Sequence, residues 1–300
     1  MTANTKHRIP SIIGVGPGRT GTTWLHQMLE GRVDLPYGVK ETQFFSHFYD
    51  HGIEWYAHHF RYATGDRPVA EICPPYFLKP ECLERIKLHI PDCRIITTMR
   101  DPVERVYSVY KHLRHTASAR SGTFDQIFNT WPSLAGGNRY AFHLKAWFEN
   151  FGRENVLVTF YDELRAEPRN YLNRVTDFMG VQRIVELPQI GNEVNAATHA
   201  PRNRRLARRA LALEHFLRSH QAYGVINLLD RTRVWEFCRG RGELFPPLTP
   251  EQDARLRARY LPEVEALEEL LKIDLSAWKK PRASRTVETP SPRLQQLARG

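Results

Sequence analysis

Ser11-Ile12-Ile13-Gly14-Val15-Gly16-Pro17-Gly18-Arg19-Thr20-Gly21-Thr22-Thr23-Trp24-Leu25 is the stretch on which the fold turns. Its apolar run, 11–16, stops at Pro17-Gly18 and reads as a buried strand entering a turn. Beyond the turn, Trp24, Leu25, Met28 and Leu29 recur on one side of a helix, and Gly31 supplies a stop. Residues 16–23 therefore join a strand to a helix with the G-x-x-x-x-G spacing of a loop that wraps phosphate oxygens. Small residues let backbone N–H groups converge on an anion, and the helix N-terminus adds unsatisfied donors and its positive dipole end. Gly18 and Gly21 open the backbone, while Thr20, Thr22 and Thr23 are candidate hydroxyl donors. The lysine that grips β and γ phosphates in ATPase and GTPase loops is Thr22 here, which argues against an ordinary nucleoside triphosphatase. Arg19, inside the loop, offers a cation from another side, with a planar fork suited to two anionic oxygens.

Outward from this loop, strands are predicted at Val69–Ile72, Arg94–Met99 and Val156–Phe160, with helices at 80–90, 102–114, 140–151 and 168–179. Strands alternating with helices predict an α/β fold, a parallel central sheet flanked by helices. A basic helix is expected near 201–217, where five arginines precede an apolar segment. A solvated face and a ligand-facing one are both open readings of it. Thr249-Pro250-Glu251-Gln252 is a capping box that opens a helix running through Leu271 despite Pro262. One domain is expected over 1–280. The remainder, 281–300, is rich in Pro, Ser, Thr and Arg and reads as a mobile basic tail with a net charge of +3.

The chain has 300 residues, 41% hydrophobic and 25% charged, a globular composition. Its net charge of +10 favours an anionic ligand or surface. No helix-turn-helix, zinc-finger or RNA-binding signature accompanies that charge, so no nucleic-acid partner is expected. Nothing approaches the ~18 apolar residues of a membrane span, and the polar Met1–Pro10 segment lacks a signal-peptide core. A soluble cytoplasmic protein is the expectation. Cys73, Cys82, Cys93 and Cys238 form no C-x-x-C pair, so reduced thiols are expected and no metal site is assigned.

The loop at 16–23, with Arg19 inside it and Thr22-Thr23-Trp24-Leu25 at its end, resembles the 5′-phosphosulfate loop of sulfotransferases that use 3′-phosphoadenosine 5′-phosphosulfate (PAPS). Arg100-Asp101-Pro102-Val103-Glu104-Arg105-Val106-Tyr107-Ser108 is similar to that family's 3′-phosphate element, in which the strand-end arginine and the serine eight positions on clamp the extra phosphate. The geometry is sensible on its own terms. Arg100 leaves the C-terminal edge of a strand, where open α/β sheets bind ligands, and Ser108 follows about two turns along a helix opened by Pro102. Lys40-Glu41-Thr42-Gln43-Phe44-Phe45 resembles the Lys-Glu-x-x-Phe-Phe segment of the Golgi heparan sulfate sulfotransferases and their bacterial relatives. The stretch Glu71-Ile72-Cys73-Pro74-Pro75-Tyr76-Phe77 resembles the family strand and loop near the acceptor, with Ile72 where a basic residue is usual; roles for Glu71 and Tyr76 stay open. The segment from Gly152 through Tyr161-Asp162-Glu163-Leu164 is similar to a later strand and turn, and Arg239-Gly240-Arg241-Gly242 to the basic loop that closes over the nucleotide. The resemblance runs from about residue 11 to 279.

The resemblance implies transfer of a sulfuryl group from PAPS to an acceptor hydroxyl or amine, leaving adenosine 3′,5′-bisphosphate, with no metal. On that reading Gly18, Arg19, Thr20, Gly21, Thr22, Thr23, Trp24, Arg100, Ser108, Tyr161, Arg239, Gly240 and Arg241 bind the nucleotide, and Arg19 also neutralises charge on the leaving oxygen. Glu41 is the implied base. Lys40 either holds the sulfuryl oxygens or is a surface charge, because neighbours on a strand point opposite ways. His47, His89 and His112 are rival bases. The acceptor, whether glycan, lipid or small molecule, is not legible. Two other classes compete: a metal-dependent P-loop nucleotide kinase, and a non-catalytic nucleotide-binding protein with a basic face for anionic partners.

Overall fold

The computed structural model describes residues 8–119, 121–184, 199–232, 234–239 and 242–281, with the backbone alone for 235, 236 and 239. Four strands, β1 (Ile12–Gly16), β2 (Ala70–Ile72), β3 (Arg94–Met99) and β4 (Val156–Phe160), form a wholly parallel sheet in the order β2-β1-β3-β4. Their residues are mostly buried because helices cover both faces of the sheet. The alternation of element types thus produced the expected architecture.

The helices that place the site are α1 (Thr22–Leu29), α2 (Pro80–His89), α3 (Pro102–His115), α4 (Tyr140–Phe151), α5 (Tyr161–Ala166) and α6 (Pro168–Met179). On one side α1 and α6 bury Trp24, Leu25, Met28, Tyr171, Leu172 and Val175 against Ile12, Ile72 and Ile96. On the other, α2 and α4 bury Leu83, Ile86, Leu144 and Trp147 together with Tyr56, Tyr76 and Phe77. At α3, Pro102 occupies the first turn and Asp101 caps it, accepting from the N–H groups of Val103 at 2.8 Å and Glu104 at 3.3 Å.

After residue 199 come α7 (Arg204–Ser219), α8 (Tyr223–Arg231), α9 (Val234–Arg239) and α10 (Pro250–Leu271). The capping box at Thr249 and Gln252 is present, and α10 continues through Pro262. Arg257 of α10 reaches the buried carboxylate of Asp101 at 3.2 Å, which ties this late helix to the start of α3. The helix α7 is tied at both ends: Arg204 donates to the Ala119 carbonyl at 3.1 Å, and Arg218 to the Glu41 carbonyl at 3.3 Å. In α8, Tyr223 is buried and its hydroxyl donates to His59 Nε2.

Among the described residues no helix is long and apolar enough to cross a membrane, and no cluster of three or more His, Cys, Asp or Glu side chains could hold a metal. The four cysteines are unpaired thiols, three of them buried. The expected tail at 281–300 lies, apart from Pro281, outside the described residues.

Candidate active site

In the order β2-β1-β3-β4, the chain leaves β1 towards β2 on one side and returns as β3 on the other, so a crevice opens at the carboxyl ends of β1 and β3. The loop after β1 and the Arg100 segment after β3 meet there. Gly16, Arg19 and Gly21 all have left-handed backbone, with φ of 99°, 72° and 87°. A Cβ on Gly16 would stand 2.4 Å from the Pro74 carbonyl, and one on Gly21 would stand 2.4 Å from Leu164 Cδ2. Both positions therefore require glycine for conformation and for space.

Several groups hold this loop. The Thr20 hydroxyl, fully buried, donates to the Pro17 carbonyl at 2.7 Å. This corrects the expectation for Thr20: its hydroxyl hydrogen closes the loop instead of facing a ligand. Arg105 is the larger prop. Its guanidinium is buried and donates to the carbonyls of Gly18 at 2.9 Å and Gly137 at 2.8 Å, and to Asn138 Oδ1 at 2.7 Å. Nothing in the sequence distinguished Arg105 from the other arginines, because its partners at 18, 137 and 138 come together only in the fold.

Arg19, Arg100 and Ser108 converge. Arg19 Nε donates to Ser108 Oγ at 3.1 Å, and Arg100 Nη1 donates to the Arg19 carbonyl at 2.9 Å. Arg100 also pairs with Glu104 at 3.2 Å and lies over the Tyr161 ring, 4.4 Å from its centroid. Burial, and then the charge of Arg100, lower the pKa of Arg19. The Arg100 Nε is buried and has no hydrogen-bond partner, the sort of orphaned donor that a bound anion satisfies. Behind this group, α1 starts at Gly21 with no side-chain cap and no acid in its first turn, leaving its N–H groups to an anion. Thr22 is buried and Thr23 half-buried at this helix end.

Trp24 is placed differently from the rest of the loop. Its ring is buried in the α1–α6 core, edge-on to Tyr171 with centroids 6.2 Å apart. The calls on Gly240 and Arg241, and on the side chain of Arg239, lie outside the described residues.

Lys40 and Glu41 sit on the connection between α1 and β2, and not on a strand. This overturns the expectation that they point opposite ways. Their side chains meet in an ion pair, each about a quarter exposed. Thr42 anchors them: its N–H and hydroxyl both donate to Glu71 Oε1, at 2.9 and 2.6 Å. Glu71 is fully buried and also accepts from Tyr56 at 2.8 Å and Tyr76 at 3.3 Å. Burial raises the pKa of Glu71, with the bonds from Thr42, Tyr56 and Tyr76 pulling the other way. Glu71 and Tyr76, open in the sequence, are thus internal supports. The Phe77 N–H donates to the Val15 carbonyl at 3.0 Å, and Cys73 N–H to Gly14 at 2.8 Å, so the same segment props β1 beneath the phosphate loop. One buried network joins the loop to Glu41.

Among the histidines, His47 bonds Ser46 and His89 bonds Tyr49, each at 2.9 Å, and His112 lies on α3. The histidine that the charge of Lys40 reaches is His26 on α1. Burial, then Lys40, lower its pKa to about 4, so it is neutral near pH 7. It was missed because a lone histidine on a helix carries no signal without its neighbours.

The Sulfotransferase domain family model matches residues 10–193, more than half of the chain. The chain is 28% identical over 199 residues to a bifunctional heparan sulfate N-deacetylase/N-sulfotransferase 1 of Caenorhabditis briggsae, covering 58% of this chain and 23% of that protein. It is 28% identical over 187 residues to human heparan sulfate glucosamine 3-O-sulfotransferase 3B1, covering 59% of this chain and 48% of that one. The chain thus spans less than half the length of these curated relatives. A sulfotransferase from Alicyclobacillus acidocaldarius has the same fold, with a TM-score of 0.63 at 21% identity, over 91% of this chain and all of that one. Loop, strand-end arginine and helix serine meet at the sheet's switch point inside the matched region, and the chain belongs to the sulfotransferase domain family.

Proposed function

We propose that this protein is a PAPS-dependent sulfotransferase that moves a sulfuryl group to an acceptor hydroxyl or amine, with Glu41 as the base. The observation that carries the reading is the convergence of Arg19, Arg100 and Ser108 at the switch point, with a buried Arg100 N–H awaiting an acceptor. The guanidinium groups of Arg19 and Arg100, the latter paired with Glu104, bring positive charge that suits a doubly phosphorylated nucleotide.

The residues fit the donor nucleotide. The loop N–H groups, Thr22, Thr23 and Arg19 would hold its 5′ side, and Arg100 with Ser108 its 3′-phosphate. When bound, PAPS supplies an activated sulfuryl group. Arg19, half-buried and fixed by Ser108, keeps its charge where negative charge builds on the departing oxygen, the preorganised stabilisation that often dominates catalysis. Glu41 takes the acceptor proton, a role typically contributing about 10²–10⁴ in rate. Lys40, paired with Glu41, holds it in orientation. Glu71 fixes the turn through Thr42. The relatives named above carry heparan sulfate in their names; for this chain we propose an acceptor of the alcohol or amine class, in a glycan, lipid or small molecule.

Calorimetric titration of adenosine 3′,5′-bisphosphate, AMP and ATP, with and without magnesium, tests the nucleotide site. Binding of the bisphosphate in preference to AMP, without metal, is expected, and Arg100→Ala should erase most of that preference. Tighter binding of magnesium ATP would instead support a kinase. An acceptor screen with radiolabelled PAPS tests the transfer itself, and bisphosphate binding without transfer to any acceptor would favour a non-catalytic protein.

A further inference from the structure

The outer side of the α7–α9 helices takes no part in the chemistry above, and its composition is unusual for a face in contact with water. On α7 the buried side is Ala207 and Ala210, with Arg204, Leu211, Glu214 and Arg218 partly covered. The opposite side carries Leu206, Leu213 and Phe216, which follow one another at helical spacing and are 36%, 46% and 58% exposed. Neighbouring α8 buries Tyr223 and Ile226 and exposes Val225 and Leu228 one turn apart, and α9 exposes Phe237. The three helices pack against one another, so these exposed apolar groups stand on one helical cluster.

Arginine surrounds them. Between 202 and 219 there are six arginines and one acid, Glu214, and that acid pairs with Arg218 at 2.8 Å on the covered side. Arg202, Arg205, Arg208 and Arg209 are exposed, and none takes part in an ion pair among the described residues. Four of the arginines stand in the first two turns of α7, which has no acid in its first turn; positive charge there opposes the helix dipole and weakens the helix. Neither the exposed leucines and phenylalanines nor this charge placement serves folding.

We propose that this face docks on an anionic lipid bilayer. Leucine and phenylalanine side chains would enter the boundary between headgroups and acyl chains while the arginines bind lipid phosphates, the arrangement by which amphipathic helices lie in a membrane interface. A polyanion in water would engage the arginines and leave the apolar groups wet. A second copy of the chain, related by a two-fold axis, would cover the apolar groups and bring two arginine rows together unneutralised. The bilayer satisfies both features. Docking is independent of the transfer reaction, and its test does not use activity.

The experiment is co-sedimentation of the full chain with vesicles of phosphatidylcholine alone or mixed with phosphatidylglycerol. Binding to the mixed vesicles only, weakening as salt rises, is expected. Arg205→Glu combined with Arg208→Glu and Arg209→Glu should weaken it at least about tenfold, as should Leu213→Ser combined with Phe216→Ser and Leu228→Ser. Because all six side chains are exposed, circular dichroism and melting temperature should stay near those of the parent; should either triple variant fold poorly, Phe216→Asp alone carries the test. Equal absence of binding to both vesicle types overturns the proposal. So does loss of binding in the arginine variant with none in the apolar variant, which would mean charge attraction without insertion. A stable dimer in analytical ultracentrifugation that Phe216→Asp dissociates would also overturn it, assigning the face to a contact between copies.

Discussion

Thr42 gives its backbone N–H and its hydroxyl to one oxygen of Glu71, at 2.9 and 2.6 Å, and thereby fixes the residue that follows Glu41 to a fully buried carboxylate beside β1. Glu71→Gln keeps the volume but turns an amide N–H₂ towards donors. It should cost about 1–3 kcal/mol of stability. If Glu71 positions Glu41, turnover should fall further than adenosine 3′,5′-bisphosphate affinity, and Thr42→Val should reproduce the split in milder form. Thermal denaturation and nucleotide titration on the same samples check this, and equal losses in both would reduce Glu71 to a purely structural role.

Glu41→Gln removes the carboxylate proposed as the base while keeping its shape. Turnover on an alcohol acceptor should drop about 10²-fold or more with little change in nucleotide affinity, because proton removal belongs to the transition state. A folded variant with near-parental turnover would send the search for the base to the histidines, starting with His26 beside Lys40.

Arg19 donates to Ser108 and sits where the missing loop lysine would otherwise leave the anion under-neutralised. Arg19→Ala should weaken both bisphosphate binding and turnover. Lysine at this position should restore only part, since it cannot hold Ser108 and a ligand oxygen with one planar group. Steady-state rates and calorimetry distinguish the outcomes; an Arg19→Ala protein of full activity would refute the assignment.

Arg105 touches no ligand in this scheme, yet it holds Gly18, Gly137 and Asn138 with a buried guanidinium. Arg105→Met leaves three buried acceptors short of a donor and should destabilise the protein by roughly 3–5 kcal/mol, the range for breaking a buried charged network. Nucleotide affinity should fall as well, because Gly18 loses its tether. Chemical denaturation supplies the first number.

Acid should loosen α8. Burial holds His59 neutral, lowering its pKa to about 4, with Nδ1 donating to the Tyr56 and Trp55 carbonyls and Nε2 accepting from Tyr223. The folded value lies below the ordinary 6.5, so the unfolded chain binds the extra proton in between. This contribution is complete above pH 6.5, is lost as pH falls from 6.5 to 4, and changes no further below that. Melting temperature should decline across that window, and His59→Gln should be less stable near pH 7 but flatter on the acid side. Some slope will persist, because His26 and His143 are lowered to about 4 for the same reason. Parallel acid limbs for parent and variant would contradict it.

Local pattern was sufficient for the elements and for the glycine loop after β1. Apolar runs of strand length ended at Pro17-Gly18 and at Arg100, and Pro102, Pro168 and the Thr249 capping box marked helix starts with local steric and hydrogen-bonding rules that hold whatever surrounds them. The G-x-x-x-x-G spacing was legible because left-handed Gly16 and Gly21 answer a requirement of the backbone itself. Partnership was not legible. That Trp24 turns into the core and that Arg105 carries the loop depend on which distant groups arrive in contact, and the near-neighbour contacts of Thr20 with Pro17 and of Lys40 with Glu41 depend on the path the backbone takes through each loop. The same holds for Glu71, whose carboxylate reads as an acid in sequence. It becomes a buried support only once Thr42, Tyr56 and Tyr76, from separate segments, surround it and replace the water it has lost.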